Sequence, residues 1–212
     1  MTAAYKDPNY TVETNLFGTV NCLELARRDK ADFIFLSTSR VYPIEPMNNI
    51  GFTETSTRFD WKKTTKGAGY SYQGIGESFS LDGVRSLYGA TKLSSEHIIQ
   101  EYSDMFGIQG VINRLGVIAG PWQMGRVDQG IVGFWTAQHK FGGKLNYIGY
   151  GGLGKQLRDA VHIDDVCDLI FYQMTHVNKV HGKIYNAGGG RKNTSSLCEL
   201  TGIVQEVTGN KI

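Results

Sequence analysis

The stretch DFIFLSTS, residues 32–39, decides how this chain folds. It is a short, unbroken apolar run closed by hydroxyl residues, without the alternation of a strand that has one wet face. Such a run suits a strand buried on both faces of a parallel sheet. Just before it, TVETNLFGTVNCLELARR (11–28) repeats apolar residues at Val12, Leu16, Val20 and Leu23, which is helix spacing. After it, residues 45–80 are polar, rich in Gly, Thr and Ser, and without a period. An insertion of that length inside a compact domain is either functional or disordered. LYGATKLSSEHIIQEYSDMFG (87–107) predicts a helix stopped by Gly107, and IQGVINRLGVIAGP (108–121) predicts the next buried strand, running out into a loop. QGIVGFWTAQHKF (129–141) reads as a helix, and KLNYIG and LRDAVH as short strands. IDDVCDLIFYQMTHV (163–177) is an amphipathic helix with Asp164 and Asp165 in its first turn, where carboxylates suit the dipole. GKIYNAGGG (182–190) is a strand entering a glycine turn, and Ser196 with Glu199 has the spacing of a capping box opening a last helix. This alternation predicts an α/β fold with a doubly wound, mainly parallel sheet.

Composition narrows the function classes. Over 212 residues, 41% are apolar and 20% charged, which is globular rather than disordered. A net charge of +2 with mixed signs gives no argument for nucleic acid or a membrane surface. No apolar run reaches the ~18 residues that cross a bilayer. The opening MTAAYKDPNY has neither the basic region nor the apolar core of a signal peptide, so a cytoplasmic location is expected. Cys22, Cys167 and Cys198 are odd in number and widely spaced, and read as reduced core or helix cysteines with no metal site.

Chemistry concentrates in three pieces: the strand end STS (37–39), the turn YGATK (88–92) and the strand end around Arg114. In a doubly wound sheet the carboxyl ends of neighbouring strands line one crevice. Tyr88 and Lys92 are one helical turn apart and share a face. An ammonium there favours the phenolate, and a strand-end hydroxyl can bind the reacting oxygen, which makes a workable alcohol–ketone site. By spacing alone the pair is equally an ordinary helix surface.

Order and context go further. The succession NLFGT (15–19), FLSTSRVYP (35–43), SLYGATKLSSE (86–96), NRLGVIAGP (113–121), GKQLRDAVHIDDV (154–166) and YNAGGG (185–190) resembles the extended short-chain dehydrogenase/reductases. Within them it is similar to the NAD-dependent nucleotide-sugar epimerases and dehydratases. The resemblance implies a Rossmann-like fold, with residues 1–121 carrying the catalytic part of the NAD-binding domain. Residues 122–212 would then form a smaller substrate-binding region interleaved with the last sheet strands. It implies Thr38, Tyr88 and Lys92 as catalytic residues, with Asn15 and Gly116 joining them around NAD. Arg158 would reach the phosphates of a nucleotide-diphosphate sugar, a role that suits a bidentate guanidinium. Thr38, Gln123 and Gln129 would also contact that substrate, and helices 11–28 and 87–107 would pair two copies in a homodimer.

Smaller marks refine the activity. In 4,6-dehydratases the residues after the catalytic Thr are Asp and Glu; here Ser39 and Arg40 stand there, and neither removes water well at neutral pH. TSRVY, ETSTRF (54–59), DQGIVGFW (128–135) and GKQLRDAVH look most like the CDP-paratose 2-epimerases, also called CDP-tyvelose epimerases. The implied reaction is 2-epimerisation of a CDP-sugar through transient oxidation by bound NAD. A 4-epimerase or dehydratase for another nucleotide sugar, and a truncated non-catalytic remnant, stay open as alternatives.

Other motifs read as structure. His162 is expected to be a hydrogen-bonded structural histidine, and Asp164 and Asp165 helix-start residues rather than metal ligands. GYGGLGK (149–155) lacks the GxxxxGK[ST] pattern and reads as a loop. Trp122, Phe134 and Trp135 read as core or pocket wall. A dinucleotide fold also calls for a strand and a glycine-rich turn ahead of NLFGT, and these 212 residues hold none. The first βαβ units are therefore expected to be missing and the carboxyl end short, with Met1 either a misplaced start or an internal methionine. NAD binding by the piece alone is expected to be weak or absent.

Overall fold

A computed structural model of the chain describes residues 2–127 and 129–212; Met1 and Asp128, the latter within DQGIVGFW, lie outside the described residues. The elements run α1 (Thr2–Lys6), α2 (Pro8–Val12), a π turn (Glu13–Phe17), α3 (Gly18–Asp29), β1 (Phe33–Thr38), α4 (Ile44–Asn48), β2 (Thr53–Glu54), β3 (Phe59–Asp60), β4 (Lys66–Gly67), β5 (Tyr70–Ser71) and β6 (Gly74–Ile75). They continue as α5 (Leu87–Phe106), β7 (Gly110–Leu115), β8 (Val117–Ala119), α6 (Ile131–Phe141), β9 (Leu157–His162), α7 (Ile163–Thr175), α8 (Val177–Val180), β10 (Ile184–Ala187), β11 (Thr194–Ser196) and α9 (Leu197–Thr208). The chain divides into two compact units, each assembled from three segments.

The first unit takes the segment up to Asn49, Gly76–Leu115 and Val166–Ala187. Its centre is a parallel sheet in the order β1-β7-β10. β7 is buried along its whole length, as a middle strand with neighbours on both sides must be. Leu23, Phe35, Ile99 and Ile112 form the core between α3, α5 and the sheet, with Phe33, Ile98, Tyr102 and Ile184 packed around it. Ser86 starts α5 by accepting the Gly89 amide, and Gly107 ends it with φ +71°, a conformation glycine adopts without strain. The helix expected over 11–28 is present but interrupted by the π turn, which holds Asn15. Such turns insert one residue and re-aim the side chains around it.

The second unit takes Ile50–Ile75, Gly116–Asp165 and Gly188–Ile212. Its sheet runs β11-β9-β8, with β8 parallel to β9 and β11 antiparallel. Trp135, Leu197, Leu200 and Val204 pack α6 against α9, joined by Leu145 and Tyr147. Residues 50–75 of the aperiodic insertion belong to this unit and are folded: β2–β3 make one small antiparallel pair, β4–β6 a second antiparallel sheet. Two-residue strands are too short to leave a period in the sequence.

Three expectations are corrected. The run 108–121 is two strands, not one: β7 and β8 part at Gly116 and join different sheets. KLNYIG is not a strand; Leu145 and Tyr147 are drawn into the α6–α9 core, and the Tyr147 hydroxyl meets Thr201 Oγ1 at 2.8 Å. Trp122 is 91% exposed, because a left-handed backbone (φ +66°) at the turn after Pro121 throws it outward. The three cysteines are free and helical, with Cys22 and Cys167 exposed rather than in the core. No described helix is long and apolar enough to cross a membrane.

Candidate active site

In the first unit α5 meets β1 at each successive turn. The Arg40 carbonyl, in the turn after β1, lies so close to Gly89 that a Cβ there would collide with it. One turn along the helix, Lys92 Nζ donates to the Leu36 carbonyl at 2.9 Å and sits 4.4 Å from the centre of the Phe35 ring. One turn further, Glu96 accepts the Ser37 hydroxyl at 2.5 Å. Thr38 is bracketed by these contacts: Leu36 and Ser37 precede it and Arg40 follows. Tyr88, beside Gly89, is half-buried in the first turn of α5. The backbone therefore brings the segments that carry Thr38, Tyr88 and Lys92 to one corner of the sheet.

The Thr38 hydroxyl oxygen accepts the Arg40 amide at 3.2 Å. Its own proton stays available, because a hydroxyl both donates and accepts. Burial pushes the Lys92 ammonium below the usual lysine range, and the Glu96 carboxylate works against that shift. Asn15 donates to Thr91 Oγ1 at 3.1 Å, tying the π turn to the residue before Lys92. Its carbonyl accepts the Thr19 hydroxyl at 2.6 Å.

Beneath these residues lies a charged pair the sequence reading did not identify. Arg114 and Glu96 are almost wholly buried and joined by two donor nitrogens, with Nη2 2.7 Å from Glu96 Oε2. Arg114 Nη1 also donates to the Tyr42 hydroxyl at 3.0 Å, which donates to Asn186 Oδ1 at 2.8 Å. The available signal was an arginine inside the otherwise apolar GVINRL, since a charge buried on a central strand needs a partner.

The remaining candidates belong to the second unit. Gly116 stands where β7 and β8 part, and a Cβ there would lie 3.0 Å from Asp159 Oδ1. Burial raises the Asp159 carboxyl above its ordinary range. Arg158, next to Asp159 on β9, is exposed, and its Nη1 donates to the Leu157 carbonyl at 2.7 Å. Gln123 Nε2 donates to the Ile118 carbonyl at 2.9 Å, while its Oε1 is buried with no hydrogen-bond partner. Gln129 is exposed and exchanges both backbone hydrogen bonds with Arg126. His162 Nδ1 accepts the Asp164 amide at 3.2 Å, a structural cap at the start of α7. Among the described residues no group of three or more His, Cys, Asp or Glu could hold a metal ion.

Known proteins resemble this chain in sequence and in fold. The family model described as "NAD dependent epimerase/dehydratase family" matches residues 1–188. The CDP-paratose 2-epimerase of Salmonella typhi is 32% identical over 211 residues, covering 97% of this chain and 59% of that protein. The crystal structure of UDP-glucose 4-epimerase from Thermotoga maritima, solved with UDP-glucose, superimposes with a TM-score of 0.74 at 20% identity, over 100% of this chain and 58% of that one. UDP-glucuronic acid 4-epimerase from Bacillus cereus, solved in complex with NAD, gives 0.68 at 27% identity, over 93% of this chain and 52% of that one. The chain thus spans between half and three-fifths of these relatives, and the likeness extends through its whole α/β architecture.

Proposed function

The chain belongs to the NAD dependent epimerase/dehydratase family, and from that premise we propose that it serves a nucleotide-sugar epimerase that uses NAD and takes a CDP-sugar as substrate, inverting C2. The observation that carries this reading is the corner of β1 and α5, where Lys92 Nζ binds the Leu36 carbonyl and the Arg40 carbonyl abuts Gly89, so that the segments carrying Thr38, Tyr88 and Lys92 are neighbours.

The donor set there fits the nicotinamide-ribose side of NAD. An ammonium has three N–H donors, and Lys92 commits one of them to Leu36; the others can bind ribose hydroxyls. Asn15, tied to Thr91 in the adjoining turn, would extend that surface, and the family resemblance adds Gly116 to the NAD contacts. The chemistry supplied by bound NAD is removal of hydride from the sugar carbon and its return to the opposite face. Tyr88 Oη takes the proton of the sugar hydroxyl and later gives it back. Thr38 donates its uncommitted proton to the same sugar oxygen and holds it in place as charge develops. By the family resemblance Arg158, Gln123 and Gln129 would contact the substrate, and a bidentate guanidinium suits its diphosphate. Ser39 and Arg40, next after Thr38, supply no carboxyl pair to expel water, which favours epimerisation over dehydration.

The 2-epimerase assignment draws on the Salmonella relative, whereas the Bacillus relative points to C4 of a UDP-sugar. Incubation of the full-length protein with NAD and either CDP-paratose or UDP-glucuronate, followed by proton NMR of the sugar, separates the two. CDP-tyvelose is the expected product, abolished about 10²-fold or more in Tyr88→Phe. Conversion of the UDP-sugar alone would move the assignment to C4, and near-normal turnover by Tyr88→Phe would remove Tyr88 from the chemistry.

A further inference from the structure

We propose that Glu96 and Arg114, together with Ser37 and Tyr42, are positioning residues: a buried charged rung that locks the strand end carrying Thr38 to the helix face carrying Tyr88 and Lys92. This rests on the reading of Thr38, Tyr88 and Lys92 as the acid/base group. Its test is chosen to fail separately from that reading.

Strand register is the first support. Ser37 pairs with Arg114 and Arg114 with Asn186, so the three form one row across β1, β7 and β10. The next row, towards the carboxyl ends of the strands, begins with Thr38 beside Leu115. The charged row therefore lies immediately beneath the layer in which the strand-end hydroxyl sits. Helix spacing is the second support. Tyr88, Lys92 and Glu96 follow one another at intervals of four and share one face of α5. Glu96 is the member of that series that reaches into the sheet, where Ser37 Oγ donates to Oε1 and the Arg114 fork takes both oxygens. Tyr42 closes the far side: its hydroxyl accepts from Arg114 and donates to Asn186, while its ring faces the guanidinium at 5.1 Å. Tyr42 stands at the end of the short turn that begins at Thr38, so the rung holds Thr38 from before and after in the chain.

A buried ion pair is a costly way to gain stability alone, because desolvating two charges consumes most of their attraction. Its directional hydrogen bonds do fix geometry. An arginine fork that meets a carboxylate, with a serine and a tyrosine on the remaining positions, permits one register of α5 against β1. Apolar side chains would permit several. Displacement of a reacting group by about 1 Å can cost about 10²-fold in rate, so a register lock at this place has a catalytic consequence.

Two variants test it. Ser37→Ala cuts only the link from the rung to β1. Glu96→Gln combined with Arg114→Met removes both charges together and leaves no buried ion unpaired, which keeps the fold where Glu96→Gln alone could lose it. The first measurement is amide hydrogen exchange at Arg40 and Tyr42, whose N–H groups hold the Thr38 turn, referenced to the β1–β7 ladder of the same sample. The turn amides are expected to exchange about 10-fold faster relative to the ladder in the double variant, and several-fold faster in Ser37→Ala. The second is turnover, where kcat is expected to fall by about 10²-fold in the double variant with KM changed less than about threefold. Turn amides as protected as in the unaltered protein, or a folded double variant with normal kcat, would overturn the proposal. If the unaltered protein converts no sugar nucleotide, the functional reading fails while the exchange measurement still decides the rung.

Discussion

The two units hold their principal ion pairs in opposite ways. In the first, Arg114 and Glu96 have side chains 2% and 1% exposed and lie between a helix and the centre of a parallel sheet. In the second, Arg58 and Glu199 are 26% and 21% exposed and join the folded insertion to the start of α9. Glu199 also accepts the Thr57 hydroxyl and the Ser196 amide, while Arg58 reaches the Thr194 carbonyl. Asp60 and Arg191 repeat the pattern, with Arg191 stacked 3.5 Å over the Tyr72 ring. The first arrangement excludes water and tolerates no missing partner. The second stays in reach of solvent, so either member can be lost with water taking its place. Desolvation separates a pair that sets register from pairs that fasten an insertion.

Breaking each pair from the same side is the sharpest test of that difference. Arg114→Met leaves Glu96 buried without a cation, which costs about 3–5 kcal/mol. Arg58→Met leaves Glu199 part-exposed with its amide partner intact and costs about 1 kcal/mol. Urea unfolding of both variants, with equal slopes, should show that several-fold gap. Equal losses would mean that burial does not distinguish the two sites.

Acid provides a second and smaller separation. The Arg58 guanidinium, followed by the Ser196 amide and the Thr57 hydroxyl, holds the Glu199 carboxyl down to about 2. A depressed carboxyl contributes stability that is complete above its unfolded value near 4.5 and is lost as pH falls through the folded value. The second unit should therefore lose about 1–2 kcal/mol between pH 4.5 and 2, after allowance for the solvent that reaches the pair. Thermal melts across that window check it. In Arg58→Met most of this pH dependence should disappear, since its largest cause has been removed.

The same contrast explains what was legible beforehand. DFIFLSTS and GVINRL could be read because short apolar-rich runs suit strands of a parallel sheet, and both became neighbours there; β7 is buried throughout, whereas β1, at the sheet edge, leaves Leu36 43% exposed and so is not buried on both faces as expected. Gly107 and the glycine turn after β10 could be read because left-handed backbone favours one residue type. Tyr88 and Lys92 share a helix face by spacing, Thr38 joined them only through the family resemblance, and the fold brings the three segments to one corner. The Glu96–Arg114 pair was not accessible, since its members lie 18 residues apart on different elements and periodicity records polarity without naming partners. The folded insertion escaped for a similar reason: Arg58–Glu199 spans 141 residues and Arg191–Asp60 spans 131. Trp122 misled because an aromatic residue suggests burial, whereas its backbone conformation turns it to solvent.

The capping box at α9 gives the smallest and most local test. Ser196 is fully buried; its hydroxyl oxygen accepts the Glu199 amide at 3.0 Å, and Glu199 Oε2 accepts the Ser196 amide at 2.9 Å. Ser196→Ala removes one acceptor from the first turn of the helix and should cost about 1 kcal/mol in urea unfolding. It leaves the Ser196 backbone amide and Arg58 in place, so Glu199 remains ionised down to low pH. The acid-sensitive window should therefore persist in Ser196→Ala while it collapses in Arg58→Met. If Ser196→Ala abolished the window as well, the cap rather than the guanidinium would be holding the Glu199 charge. The second unit would then owe its acid sensitivity to the end of a helix, not to the insertion fastened across it.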